Sequence, residues 1–103
     1  MLSHCCYFSL HDNSPAAVKQ LVDACKKYLP DHEGVLYFAV GTLNRELDRP
    51  VNDRDFDVAL TMIFDSKEAH DAYQVAPLHK QFIRESKPNW HLVRVFDADV
   101  VKS

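Results

Sequence analysis

The chain has 103 residues, 47% of them hydrophobic and 26% charged, enough for one domain with a modest core and too rich in apolar residues for a disordered segment. A formal net charge of −3 gives no electrostatic pull toward nucleic acid or an anionic membrane. No stretch approaches the roughly 20 apolar residues that span a bilayer, and the N-terminus lacks a secretory pattern.

Residues 3–10 alternate, with His4, Cys6, Phe8 and Leu10 on one face and Cys5, Tyr7 and Ser9 on the other. That period of two predicts a strand. Ser14 before Pro15 predicts an N-cap with proline at the first helical position. Val18, Leu21, Val22, Cys25 and Leu29 keep helical spacing up to the stop at Pro30. Gly34 then opens a second strand over residues 35–43, apolar on both faces. Residues 44–55 form a charged connection, long for a hairpin. In the third strand Phe56, Val58, Leu60, Met62 and Phe64 alternate with Asp57, Ala59, Thr61 and Ile63. Asp65 followed by Glu68 reads as a capping box that starts a short helix ending about Tyr73. After a break at Val75-Ala76, Pro77 opens another helix that ends before Pro88. Leu78, Phe82 and Ile83 are expected to face inward, with His79 at the border of that face. Residues 90–96 make the last strand.

This order predicts a single α+β domain, residues 1–103, of the ferredoxin-like kind. Its four-stranded antiparallel sheet has the first and third strands in the middle and the helices on one face. The other face carries Cys5, Tyr7, Ala59, Thr61 and Ile63, too apolar for a sheet side bathed in water. At roughly 25 cal/mol per Å² the loss from leaving it open is several kcal/mol. A second copy of the chain, sheet against sheet, is the simplest cover.

Three cysteines, two of them adjacent, form neither a disulfide framework nor a CxxC pair. They predict reduced, buried thiols and a cytoplasmic setting. Among His4, His11, His32, His70, His79 and His91 no two have HxxxH or HxxH spacing. No metal is therefore expected from spacing, which leaves open only a cluster assembled from distant histidines. Tyr73 and His79 flank the helix break. There they form either a hydrogen-bonded corner or a site, with His79 as base, Tyr73 as hydrogen-bond donor and His4 as orienting group or second proton carrier. The pocket for such a site would be lined by Cys6, Phe8, Val58, Leu60, Leu78 and Phe82.

The opening strand from His4 to Phe8, the run from Phe56 to Leu60, Phe64-Asp65-Ser66, and Tyr73…Pro77-Leu78-His79…Phe82 together resemble the stress-responsive α/β-barrel (Dabb) family. The resemblance implies a dimeric α/β barrel, two ferredoxin-like protomers paired through their sheets. One characterised member, a polyketide cyclase, closes a linear chain by aldol chemistry without metal or organic cofactor. Its catalytic His matches His79, a supporting Tyr matches Tyr73, and a further His matches His4. This chain departs at Val58, where the cyclase has another His, and at Ala76, where many members have His. The implied function is a homodimer that binds or transforms a small carbonyl-rich or aromatic molecule without cofactor. The alternatives are a non-catalytic binder of a small hydrophobic ligand, a structural stress protein, and a cofactor-free monooxygenase of the antibiotic-biosynthesis type.

Overall fold

A computed structural model describes all 103 residues. The elements are β1 (Leu2–Leu10), α1 (Pro15–Tyr28), β2 (Val35–Thr42), β3 (Val58–Phe64), α2 (Lys67–Val75), α3 (Pro77–Ser86) and β4 (Trp90–Asp99), with one 3₁₀ turn (Lys87–Asn89) before β4. The strands lie in the order β2-β3-β1-β4, and every neighbouring pair is antiparallel. This is the expected ferredoxin-like arrangement, with β1 and β3 central. No helix is long and apolar enough to cross a membrane.

Strand parity separates the two faces. Along β1 every second side chain from Leu2 to Leu10 is buried, and along β3 the same holds from Val58 to Phe64. In register these rows pair Cys6 with Leu60 and Phe8 with Val58, and with Leu21 and Cys25 of α1 and Leu29 just after it they form the core. Ser14 caps α1, its hydroxyl accepting from the Ala17 N–H, with Pro15 in the first turn. On the other face Tyr7 pairs with Arg94 and Cys5 with Phe96. No helix covers that side; residues 43–56 lie along part of it, while Tyr37 is 56% and Phe96 55% exposed.

Four details differ from the sequence expectation. The N-cap of α2 is Ser66, which accepts from Ala69 N–H, because Asp65 is turned back to accept from the Ser66 hydroxyl. Phe56 lies outside β3 and packs edge-on against Tyr7, 5.0 Å between ring centres, on the open face. The segment before β3 is pulled there by contacts that alternation alone does not encode: Arg94 donates to Asp53 and to the Asp55 carbonyl. Lastly, β4 runs on to Asp99, since Leu2 pairs with Asp99 and keeps the ladder going past Phe96. Helix α3 is rotated by about one residue: His79 and Phe82 are its buried positions, while Leu78 is 41% exposed.

Gly34 has φ +87°, and a Cβ there would stand 2.4 Å from the Ala69 Cβ and 3.0 Å from the Asp65 carboxylate. Gly34→Ala is therefore expected to cost on the order of 2 kcal/mol or more through left-handed strain and overpacking. Gly41→Ala, with nothing within 4 Å, should stay within about 1 kcal/mol of the parent. Urea denaturation of the two variants measures the contrast.

Candidate functional site

Between the helix-facing side of the sheet and helices α2 and α3 lies a cavity of about 330 Å³. Strand parity sends His4, Cys6 and Phe8 of β1 into it together with Leu60 of β3. Tyr73 and Gln74 at the end of α2, and His79, Phe82 and Ile83 on α3, form the opposite wall. Trp90, Val93, Val95 and Asp97 close the third side from β4. As an edge strand β4 leaves Val95 and Asp97 exposed, so the cavity meets solvent there.

The predicted pair does come together. The Tyr73 and His79 rings meet at 4.5 Å between centres, 61° apart, an edge contact that is not a hydrogen bond. His79 is 7% exposed, and its Nδ1 is buried without any hydrogen-bond partner. The Trp90 indole Nε1 is in the same condition. Buried polar nitrogens are paired in most folded proteins, and both of these unpartnered atoms belong to residues that border the cavity. Phe8, Phe82 and Trp90 pack around one another, at 5.1 Å for Phe8–Trp90 and 5.9 Å for Phe82–Trp90, and give the cavity an aromatic end.

The third predicted residue, His4, is equally buried, and its ring lies 6.2 Å from Tyr73. Its Nδ1 stands 2.5 Å from Asp97 Oδ1. A carboxylate only accepts, so Nδ1 carries the proton, and Nε2 is left to accept from the Cys6 thiol at 3.4 Å. Of the predicted lining, Cys6, Phe8, Leu60 and Phe82 border the cavity. Two residues do not. Val58 is fully buried in the core beneath, too far along β3, and Leu78 faces outward because His79 takes the inward position on α3.

Burial sets the electrostatics. It holds the His79 pKa below the usual 6.5, because the imidazolium is poorly solvated there. The Gln74 backbone pulls the other way, and charge on His4, His32 or His70 adds to the lowering. Burial raises the Tyr73 phenol well above its ordinary value, so it stays a hydrogen-bond donor. The Cys6 thiol is pushed up to about 12 by burial and then by the Asp97 charge, which makes it a neutral lining group, not a thiolate.

The family model of the stress-responsive A/B barrel domain (Dabb) matches residues 2–100. The chain belongs to this family. A Dabb protein from Mesorhizobium loti with a ferredoxin-like fold superposes at TM-score 0.78 with 22% identity, over 98% of this chain and 97% of that one. A dimeric ferredoxin-like protein from Thermobifida fusca also gives 0.78, at 20% identity over 96% and 90%. The hydroxynitrile lyase of Passiflora edulis gives 0.77 at 17% identity over 99% and 94%. No curated protein matches. Identities this low establish a shared fold.

Sequence reasoning missed four polar or aromatic groups of this Dabb cavity: His70, Gln74, Trp90 and Asp97. His70 and Gln74 had a signal, since on α2 His70 lies three residues before Tyr73 and four before Gln74. Asp97 had a weaker one, the parity of Val93, Val95 and Asp97 along β4. Its pairing with His4 depends on register.

Because the folded Dabb chain holds the His79 pKa below its unfolded value, the folded state takes up fewer protons at this site. The associated stability is complete above about pH 6.5 and is lost as pH falls below it. Unfolding free energies between roughly pH 5 and 6.5 should decline in the parent and decline less steeply in His79→Gln.

Proposed function

We propose that this protein is a homodimer that binds and transforms a small carbonyl-bearing or aromatic molecule in the cavity between sheet and helices, using no organic cofactor. The observation that carries the reading is the meeting of Tyr73 and His79, 4.5 Å between ring centres, on one aromatic-walled cavity. The Tyr73 phenol, kept protonated by burial, can donate to a ligand acceptor such as a carbonyl oxygen. An imidazole kept neutral by burial takes a proton from a carbon next to that carbonyl. The electron pair moves onto the oxygen, where the protonated Tyr73 phenol donates a hydrogen bond to the forming enolate. After bond reorganisation the imidazolium returns the proton to the product. His4, held by Asp97, is the second proton carrier. The open space beside His79 supports a ligand-handling role over a purely structural one. The Passiflora neighbour, a hydroxynitrile lyase, supports small-molecule chemistry on this fold without assigning it here.

The uncovered sheet face supports the dimer. Tyr37, Leu92 and Phe96 are exposed on it, and a second, larger hollow of about 500 Å³ between the sheet and residues 43–56 would be closed by a partner. The Thermobifida fusca neighbour is described as dimeric.

Two experiments test these statements. Trp90 is the only tryptophan, so its emission reports ligand entry directly. Titration with β-polyketo thioesters and aromatic hydroxynitriles should change that emission for at least one compound, with turnover of the same compound. His79→Ala should lower kcat by about 10²-fold or more and leave affinity nearly unchanged. Tyr73→Phe should cost a similar factor. An emission change with no turnover means a binder only, and no change with any compound defeats the proposal. For assembly, sedimentation equilibrium should give a dimer for the parent and a folded monomer for Phe96→Asp. A monomeric parent removes the dimer.

A further inference from the structure

His4, His70 and Asp97 come from three different elements, β1, α2 and β4. One ligand atom from each lies within 4.8 Å of the others. We propose that these three side chains form a binding site for a single divalent transition-metal ion, of the zinc, nickel or cobalt class, at the mouth of the cavity. Two imidazoles and one carboxylate, with remaining positions open, are a donor set that suits these borderline cations better than magnesium or calcium.

The side chains are arranged for ligation beyond mere proximity. The His4 and His70 rings are 4.9 Å apart. His70 Nδ1 stands 3.3 Å from the Asp71 carboxylate, which also accepts from Lys67, so the proton resides on Nδ1. That leaves the Nε2 lone pair, held only by the Gln74 amide at 3.2 Å, a donor that an ion displaces. A carboxylate behind a ligating imidazole is the usual way to fix its tautomer and orientation. On the other side the ion replaces the proton shared between His4 Nδ1 and Asp97 Oδ1. Tetrahedral ligands at ordinary bond lengths lie about 3.4 Å apart. The 2.5 Å pair must open and the longest separation must close, each by roughly an ångström or somewhat more, within side-chain rotation. His4 and His70 are held inside, while Asp97 is half-exposed at the edge strand, which provides the entry path.

HxxxH spacing did not suggest this site because two of its ligands sit on strands at opposite ends of the chain and only the third is helical. The site shares His4 and Asp97 with the proposed reaction, and a bound ion would take the place of the His4 proton; failure to bind metal leaves the Tyr73–His79 reading and its own test intact.

Isothermal titration of the tag-free chain with Zn²⁺ and Ni²⁺, and the visible absorption of the Co²⁺ form, provide the test. One ion per chain is expected, with His70→Gln and Asp97→Asn each weakening it by about tenfold or more. His4 is avoided as a variant because it is buried in the sheet, and circular dichroism verifies that the two variants fold. His91→Gln is the control, since the exposed His11 and His91 rings, 5.1 Å apart, are the competing surface site. Its binding should match the parent. Absence of saturable binding, or parent-like affinity in either His70→Gln or Asp97→Asn, overturns the assignment.

Discussion

The strict alternation of β1 is the constraint on which the rest depends. This strand pairs on both sides, with β3 and β4, so its register is fixed from two directions. A slip of one residue would exchange its two faces. His4, Cys6 and Phe8 would then turn toward solvent, and Cys5 and Tyr7 would be forced under the helices. The apolar members of the row, Leu2, Phe8 and Leu10, hold the register through their burial. His4 is carried inward with them, and the fold accepts it only because Asp97 on the next strand receives its N–H.

The same logic runs through the helices. Tyr28 near the end of α1 donates to Glu85 of α3 at 2.6 Å, tying the two helices together across the cover layer. His32 accompanies them: its Nε2 donates to the Tyr28 carbonyl, and its ring stands against the back of Tyr73 at 5.0 Å. Tyr73 is thus held between His32 and His79, with Phe64 beneath it. The phenol at the bend between α2 and α3 is therefore positioned by packing, beside an imidazole that burial keeps neutral. A rigid donor beside an imidazole free to gain or lose a proton is a suitable arrangement for moving protons.

The two faces of the sheet carry different interactions. The helix side gathers buried aromatic rings and the histidines. The open side gathers Tyr7, Phe56 and Phe96, with Tyr7 near both of the others, and is flanked by the ion pair of Arg94 with Asp53. That pair is exposed and contributes little to stability by itself. Its effect is geometric, because it anchors residues 53–55 beside the sheet and brings Phe56 onto the open face. A hydrophobic surface beside a polar rim is the usual form of a protein–protein contact.

Much of the fold was legible in the sequence because it rests on local rules. The alternation in β1 and β3, the Ser14-Pro15 helix start and the proline stops predicted the elements, and one layer of helices over four strands predicted a sheet with a bare side. Tyr73 and His79 were legible as neighbours because a short helix break joins them. What periodicity could not reach was the inward turn of His79, which it counts as polar. It also missed the outward placement of Phe56 and the meeting of His4 with Asp97 and His70. Those depend on cross-strand register and on how α2 sits over the sheet, contacts between residues as many as 93 positions apart. Local preference acts over a few residues, whereas partners so distant are chosen by the packing of the whole chain.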